Sequence, residues 1–246
     1  IRSDGTALGT YSLGTYPTLT TNLSVIGSYI YTGGEDGTNG RELWRIDGNT
    51  LVAEQIKDIN PGSPNSLPGS FVSLDSSIVL FIATHVASGT ELWRTDGTAL
   101  GTTIVKDINP GVGNGSVVMT TSKIGNSIII SADDGTSGSE LWKTDGTEVG
   151  TVMIKDINPG AGGSSFSHLG LYNNEVYFSA SDGSSGAELW KTDGTTLGTV
   201  LVKDIYPGIA SSSPAGAFVF NGFLYFTAWD GVNGVELWKT DGTTGG

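Results

Sequence analysis

The chain has 246 residues, with 25 acidic and 12 basic side chains and a formal net charge of −13. Such an acidic surface repels phosphate backbones and anionic headgroups, so nucleic acids and membrane surfaces are not expected partners. There are no cysteines, which excludes disulfides and thiolate metal sites. The 38 glycines indicate many turns, and aromatic and β-branched residues throughout the chain argue against disorder.

One motif recurs along the whole chain. Glu-Leu-Trp, followed by Asp-Gly three residues after the tryptophan, occurs five times. The spacings between consecutive tryptophans are 49, 49, 48 and 48 residues, for Trp44, Trp93, Trp142, Trp190 and Trp238. Repetition at such a period indicates an array of one structural unit. We therefore predict a single domain over residues 1–246, with repeats near 1–46, 47–95, 96–144, 145–192 and 193–240.

Each repeat divides into four predicted strands, taken here in chain order from the fourth copy. An apolar run over 166–172 ends at Asn173-Asn174, a pair that tolerates positive φ in a tight hairpin. Residues 175–180, 188–192 and 199–205 follow as strands two to four, separated by turns rich in Asp and Gly. No segment shows a helical period, so the predicted class is all-β.

Adjacent large apolar residues predict which all-β fold is formed. Leu189 and Trp190 are neighbours in a strand, so they point to opposite faces of the sheet, and both faces must be covered. The strands of a β-sandwich face solvent on one side, so apolar and polar residues alternate more regularly along them. Four antiparallel strands in about 48 residues, packed on both faces, are typical of a propeller blade. The sequence therefore predicts a five-bladed β-propeller.

The ends of the chain predict how the ring closes. The chain starts inside a repeat, at Ser3-Asp4-Gly5-Thr6, and the last repeat stops after its third strand, at Asp241-Gly242-Thr243. We expect residues 7–13 to join the last blade as its fourth strand, which removes an open sheet edge. The absence of an initial Met or apolar leader fits a mature secreted form or a domain of a longer protein, and together with the linker-like Thr244-Gly245-Gly246 it leads us to favour the domain.

The pattern Glu-Leu-Trp-x-x-Asp-Gly-Thr resembles the ELWxxDGT repeat of large bacterial proteins. The resemblance covers nearly the whole chain and implies a secreted or cell-surface location with β-propeller repeats. It carries over no catalytic residue. The copies depart from the pattern at Tyr11–Tyr16, at Asn49 and at Thr84–Ser88.

The repeated aspartates are the first candidate functional residues. They precede glycine in two turns of the repeat, at Asp36, Asp134, Asp182 and Asp230 and at Asp47, Asp96, Asp145, Asp193 and Asp241. We interpret them as acceptors for turn amides. Ca²⁺ binding is the alternative, but none of these loops has the spacing of a known calcium loop, so no obligatory metal or cofactor is expected.

Other candidates also have structural interpretations. His85 and His168 lie at non-equivalent positions without partners at metal-ligand spacing. The repeated tryptophans are predicted to be core residues rather than sugar-stacking platforms, whereas Trp229 has no counterpart and is predicted to be exposed. The repeated Glu is predicted to form exposed cross-strand pairs with the repeated lysines, Lys57, Lys106, Lys155 and Lys203.

The predicted first strands bear on enzyme activity. Glycoside hydrolases need two carboxylates at the scissile bond, and the first strands, over 19–25, 70–74, 116–123, 166–172 and 215–220, contain no Asp or Glu. No Ser-His-Asp or phosphate-loop signature is present. We therefore expect that the protein is not an enzyme, and we assign no catalytic, cofactor-binding or metal-binding residue.

The predicted function is an extracellular binding, adhesion or scaffold module, with a protein, a surface glycan or further copies as partner. A multivalent lectin is the alternative, and a glycoside hydrolase is disfavoured.

Overall fold

A computed structural model describes residues 5–6, 17–20 and 22–243. These residues form twenty strands and contain no helix, and the paired strands run antiparallel. The all-β class is thereby confirmed. Within the described part of the chain there is accordingly no helix with the length and apolarity needed to cross a membrane. The chain divides into two compact units, residues 1–86 with 93–103 and residues 87–92 with 104–246.

The first unit contains the first sheet. Its strands are β1 (Thr18–Leu19), β2 (Ser24–Ile26), β3 (Tyr29–Glu35), β4 (Arg41–Asp47) and β5 (Ala53–Lys57). The order is β1-β3-β4-β5, and β2 also pairs with β3. The second sheet has residues in both units and the order β6-β7-β8-β9. Its strands are β6 (Gly69–Ser73), β7 (Val79–His85), β8 (Gly89–Thr95) and β9 (Thr103–Lys106).

The second unit contains three more sheets. The third has the strands β10 (Val118–Ile124), β11 (Ser127–Asp133), β12 (Ser139–Thr144) and β13 (Val152–Lys155). The fourth has β14 (Ser167–Tyr172), β15 (Glu175–Ala180), β16 (Glu188–Thr192) and β17 (Val200–Lys203). The fifth has β18 (Ala215–Phe220), β19 (Phe223–Trp229) and β20 (Val235–Thr240). In each sheet the strands follow one another in chain order.

The predicted hairpin turns are present between the first two strands. Asn173 and Asn174 both have positive φ, 51° and 60°, between β14 and β15. This is the geometry that a two-residue hairpin of the primed type requires. In the fourth repeat, the observed second and third strands coincide with the predicted ones, whereas the last strand is shorter, Val200–Lys203.

The core of the second unit forms between consecutive sheets. One face of the third sheet presents Leu141, and it packs against the face of the fourth sheet that presents Trp190. The opposite face of the fourth sheet presents Leu189 and packs against the fifth sheet. We call these the Leu face and the Trp face of a sheet. Adjacent Leu and Trp therefore do point to opposite faces, as predicted.

The fifth sheet has three strands among the described residues. Its Leu face differs from that of the other sheets, because Leu237 is 64% exposed whereas Leu189 is 1% exposed. Residues 7–13, predicted as the fourth strand of this sheet, lie outside the described residues. The number of blades and the closure of a ring therefore stay predictions.

Candidate functional site

The repeated tryptophans are core residues. Trp93, Trp142 and Trp190 are each 6% exposed, and Trp44 and Trp238 are partly buried. The ammonium groups of Lys106 and Lys155 lie 5.9 and 5.7 Å from the ring centres of Trp142 and Trp190, respectively. These rings fill space between sheets and do not form exposed stacking platforms.

Four of the five repeated glutamates are buried, so the prediction that they form exposed pairs was wrong for these four, whereas Glu236 is exposed. Glu42, Glu91, Glu140 and Glu188 have no accessible surface. Each carboxylate accepts the backbone N–H of an isoleucine 17 residues further along, as Glu140 does from Ile157 at 2.7 Å. Loss of hydration raises the pKa of Glu91 to about 7 in spite of its hydrogen bonds to backbone amides. Each glutamate thus fixes the segment that leads to the next sheet.

The repeated lysines do not pair with these glutamates either. Lys155 lies opposite Leu141 in the β12–β13 register, and its ammonium group donates to the carbonyl of Thr199 at 2.8 Å. Lys57 and Lys106 likewise donate to carbonyl groups of the following repeat. Ion pairs in the described part of the chain instead include Arg41 with Glu35, Arg45 with Glu54 and Lys191 with Glu175.

The Asp-Gly aspartates accept hydrogen bonds within their turns, as predicted. Asp96 accepts the backbone N–H of Thr98 at 2.8 Å and its hydroxyl at 2.7 Å. These bonds, the hydroxyl above all, lower the pKa of Asp96. Asp36, Asp145, Asp182, Asp193 and Asp230 bond to their turns in the same way. Across the described ranges, no group of three or more His, Asp or Glu side chains is arranged to hold a metal ion.

One histidine has a hydroxyl partner that the sequence did not reveal. His168 Nε2 lies 2.7 Å from Ser122 Oγ, and burial lowers the pKa of His168. A nucleophilic serine needs access to substrate and a base oriented by a third group. Ser122 is buried, and no carboxylate bonds to His168 in the described part of the chain. The pair joins β10 to β14 and is structural. His85 lies beside the ring of Trp93.

The observed first strands, β1, β2, β6, β10, β14 and β18, contain no Asp or Glu. They therefore offer no carboxylate pair for glycoside hydrolysis.

Trp229, predicted to be exposed, is 39% exposed and meets Tyr206 edge-on at 4.9 Å between ring centres.

A cavity in the first unit has the features of a small-ligand site. It has a volume of about 400 Å³ and is lined by the β2–β3 turn, the β6–β7 turn and residues of β3, β4 and the turn after β8. Strands β3 and β4 contribute Tyr29, Tyr31 and Arg45 to the lining, and the β6–β7 turn contributes Asp75, Ser77 and Ile78. Binding pockets of proteins typically occupy about 300–1,000 Å³ and combine apolar walls with a few fixed polar groups.

Arg45 is held in place on several sides within this cavity. Its guanidinium carbon lies 4.3 Å from the centre of the Tyr29 ring, and its Nε bonds to Glu54. Burial disfavours the charged form of Arg45, but the hydrogen bond and the negative charge of Glu54, together with smaller contributions from Tyr29 and Tyr31, raise the pKa of Arg45. Gly97 has a φ of +87°, and a Cβ atom there would overlap Arg45 Nη1. The guanidinium is therefore a fixed, charged donor.

No repeat signal indicates this cavity, because Tyr29 and Arg45 are not shared by all copies. The position of Tyr29 holds Ser127, Glu175 and Phe223 in the last three sheets. The position of Arg45 holds Lys143, Lys191 and Lys239 there. A search for aromatic departures from the repeat would have found Tyr29, whereas Arg45 keeps the positive charge of the other copies and shares its residue type with Arg94.

No known protein family matches the chain, and no curated protein matches it. Solved structures do resemble it. A prolyl endopeptidase is 12% identical, with a TM-score of 0.57 over 92% of this chain and 34% of its own length. Prolyl oligopeptidase B from Galerina marginata is 12% identical, with a TM-score of 0.56 over 90% of this chain and 34% of its own.

A third similar structure is the β-propeller domain of the trilobed protease from Pyrococcus furiosus, which is described as having an open velcro topology. It is 14% identical, with a TM-score of 0.50 over 91% of this chain and 69% of its own length. The chain thus spans about a third of the two peptidases and about two thirds of the isolated propeller domain. At such identities the likeness shows a propeller-like fold and carries no activity over.

Proposed function

We propose that the protein is a non-catalytic extracellular binding module of the adhesion or scaffold kind. The observation that carries this proposal is the use of the repeated polar residues. The repeated Glu, Lys and Asp side chains bond to backbone groups, as Glu188, Lys155 and Asp193 do. Side chains that are engaged in this way hold the scaffold together, and residues that differ among copies are left to contact a partner.

The proposed scaffold is a five-bladed propeller closed by residues 7–13. The fifth sheet has three strands among the described residues, and the third and fourth have four. Residues 7–13 occupy the repeat position of a fourth strand, directly after Asp4-Gly5-Thr6. Pairing with β20 would satisfy its open edge, and a following blade would cover Leu237.

The proposed location is the bacterial cell surface or the extracellular medium. The resemblance to the ELWxxDGT repeat supports it, since proteins with that repeat are typically secreted or surface-attached. A net charge of −13 is consistent with a partner other than nucleic acid or an anionic lipid surface. Expected partners are a protein, a surface glycan or further copies of the chain.

A lectin remains the second candidate function, and one specific observation favours it. The cavity beside Arg45 combines an aromatic ring, a fixed donor and carboxylates, which are the groups that bind sugars. The buried repeated tryptophans do not favour a lectin with five equivalent stacking sites.

The proposal is tested by incubating the intact chain with a mixed array of surface polysaccharides, glycans and extracellular proteins. Mass spectrometry of the same mixture records any products. We expect saturable retention of one class of molecule without new products. Catalytic turnover of any component would overturn the non-catalytic assignment, and retention of none would overturn the binding function.

A further inference from the structure

We propose that the cavity bounded by the β2–β3 and β6–β7 turns binds a neutral saccharide. We call it the Arg45 cavity, lined by Tyr29, Tyr31, Arg45, Asp75, Ile78 and Asp96. This inference rests on the proposed binding function and names the ligand class for one site. Its volume of about 400 Å³ suits one or two sugar rings.

The charged groups of the cavity favour a neutral ligand. Arg45 supplies the positive charge, while Asp75 and Asp96 also lie in the lining. An anionic ligand would meet these two carboxylates as well as the strongly acidic protein, and a cationic one would meet the guanidinium. A hydroxyl group both donates and accepts, so it can bond to a carboxylate and to a guanidinium at once. Vicinal hydroxyl groups of a sugar can therefore bond to the guanidinium and to the carboxylates, and they bring no additional charge into the cavity.

The apolar part of the lining fits the other side of a sugar. Tyr29, Ile26 and Ile78 present ring and aliphatic carbon to the same space. A pyranose has C–H groups on its faces and hydroxyls at its rim, so it needs apolar contact and polar partners together. Tyr29 supplies an amphipathic ring of the kind found at such sites.

The side chain of Arg45 is preorganised for ligand binding. The guanidinium lies against Tyr29, bonds to Glu54 and packs against Gly97, so little side-chain entropy is lost when a ligand binds. A guanidinium has five N–H donors, and the bond to Glu54 uses the one on Nε.

A hydrogen bond spans the corresponding place between the fourth and fifth sheets. Tyr172, at the position of Ile26, donates its hydroxyl to the carbonyl of Gly222 at 2.6 Å. This bond joins the β14–β15 turn region to the β18–β19 turn. Ile26 has no hydroxyl group, so this contact cannot form across the Arg45 cavity.

The repeat itself supplies variants that are compatible with the fold. R45K introduces the residue type found at Lys143 and Lys191, and Y29S introduces the type found at Ser127. R94K is the matched control, because Arg94 occupies the same position of the second sheet and is not part of the cavity lining. Circular dichroism and melting temperature verify that all three variants fold.

The experiment is an NMR titration of the intact chain with the methyl glycosides of mannose, galactose and glucose. Glucuronate and glucosamine serve as anionic and cationic counterparts. We expect saturable binding of a neutral glycoside, with shifts at Tyr29 and Ile78. R45K and Y29S should each weaken it about tenfold or more, and R94K should leave it unchanged.

Three results would overturn the inference: tighter binding of a charged counterpart, equal binding by the R45K and Y29S variants, or no binding of any neutral sugar. If no sugar binds while the mixed array still retains another component, the saccharide site is wrong and the binding function stands. If the array also retains nothing, both proposals fail.

Discussion

Glu188 accepts two hydrogen bonds from Ser212, one from its backbone N–H at 2.8 Å and one from its hydroxyl at 2.6 Å. The two residues are 24 positions apart, and both are buried. The same carboxylate accepts the backbone N–H of Ile205 at 2.8 Å. The backbone N–H of Tyr206 also bonds to this carboxylate, at 3.4 Å, so a single side chain of β16 accepts four hydrogen bonds from the segment that leads from the fourth sheet to the fifth.

The substitution E188A should destabilise the fold strongly. It leaves the three buried donors of Ile205 and Ser212 without an acceptor, and each such donor costs about 1–3 kcal/mol. We expect a loss of about 3 kcal/mol or more in the free energy of unfolding, measured by urea denaturation. E148A is the control, because Glu148 is exposed in a turn, and its change should stay within about 0.5 kcal/mol. Equal effects of the two variants would contradict the role of Glu188.

Stability should fall as the pH rises from 4.5 through about 7. Burial raises the pKa of Glu91 from 4.5 to about 7, so the folded state holds its proton more tightly than the unfolded state does. This stabilisation is complete below pH 4.5 and is lost as the pH rises through about 7. Burial also raises the pKa of Glu42 and Glu140 and acts in the same direction.

The variant E91Q isolates this effect. Its melting temperature should change less than that of the unaltered protein between about pH 5 and about pH 8. D145N is the control, because the Thr147 hydroxyl lowers the pKa of Asp145, and this carboxylate stays ionised across that range. Parallel pH profiles for E91Q and the unaltered chain would show that Glu91 does not titrate there.

The substitution W142A should cost about 3–5 kcal/mol of stability, as other large-to-small core changes do. Trp142 is 6% exposed and packs between sheets under the ammonium group of Lys106. W229A should cost much less, because Trp229 is 39% exposed and contacts Tyr206 at the surface. Chemical denaturation of both variants compares them directly, and a larger loss for W229A would reverse our assignment of core and surface.

The sequence predicted the strands and the buried tryptophans because their signals lie within a few residues of each other. It failed for Glu140, because charged residues are rarely fully buried and the acceptor role depends on Ile157. A fixed spacing does carry a signal, since a serine follows Glu42, Glu140 and Glu188 by 24 residues. This 24-residue spacing relates residues of consecutive sheets rather than neighbours along one strand. Patterns that extend over only a few residues therefore do not reveal it.

The Arg45 cavity was missed for the opposite reason. Repetition reveals what every copy shares, and Tyr29 and Arg45 are not shared by all copies. Their proximity to Asp75 depends on the packing of two turns that are far apart in sequence. The pattern of a single repeat therefore predicts the blade better than it predicts a binding site.

Closure of the ring by residues 7–13 is testable with an engineered disulfide, since the chain has no cysteine of its own. In the fourth sheet Lys191 lies opposite Val200, and Lys143 lies opposite Val152 in the third. Tyr11 follows Asp4 by the same interval that separates Val200 from Asp193, so closure places Tyr11 opposite Lys239. The double variant Tyr11→Cys with Lys239→Cys should then form an intramolecular disulfide, because directly opposed strand residues have Cα atoms about 4.5–5.5 Å apart.

The control for this cross-link is Tyr11→Cys with Lys191→Cys, since Lys191 already faces Val200 and should not react. Oxidation should raise the melting temperature of the first pair alone, and reduction should reverse the change. Deletion of residues 1–16 should expose the edge of β20, lower stability and promote aggregation or strand exchange between molecules. A cross-link formed only between molecules indicates strand exchange instead of closure. Free thiols in the first pair, together with an unchanged melting temperature in the deletion variant, would show that the fifth sheet is completed in another way.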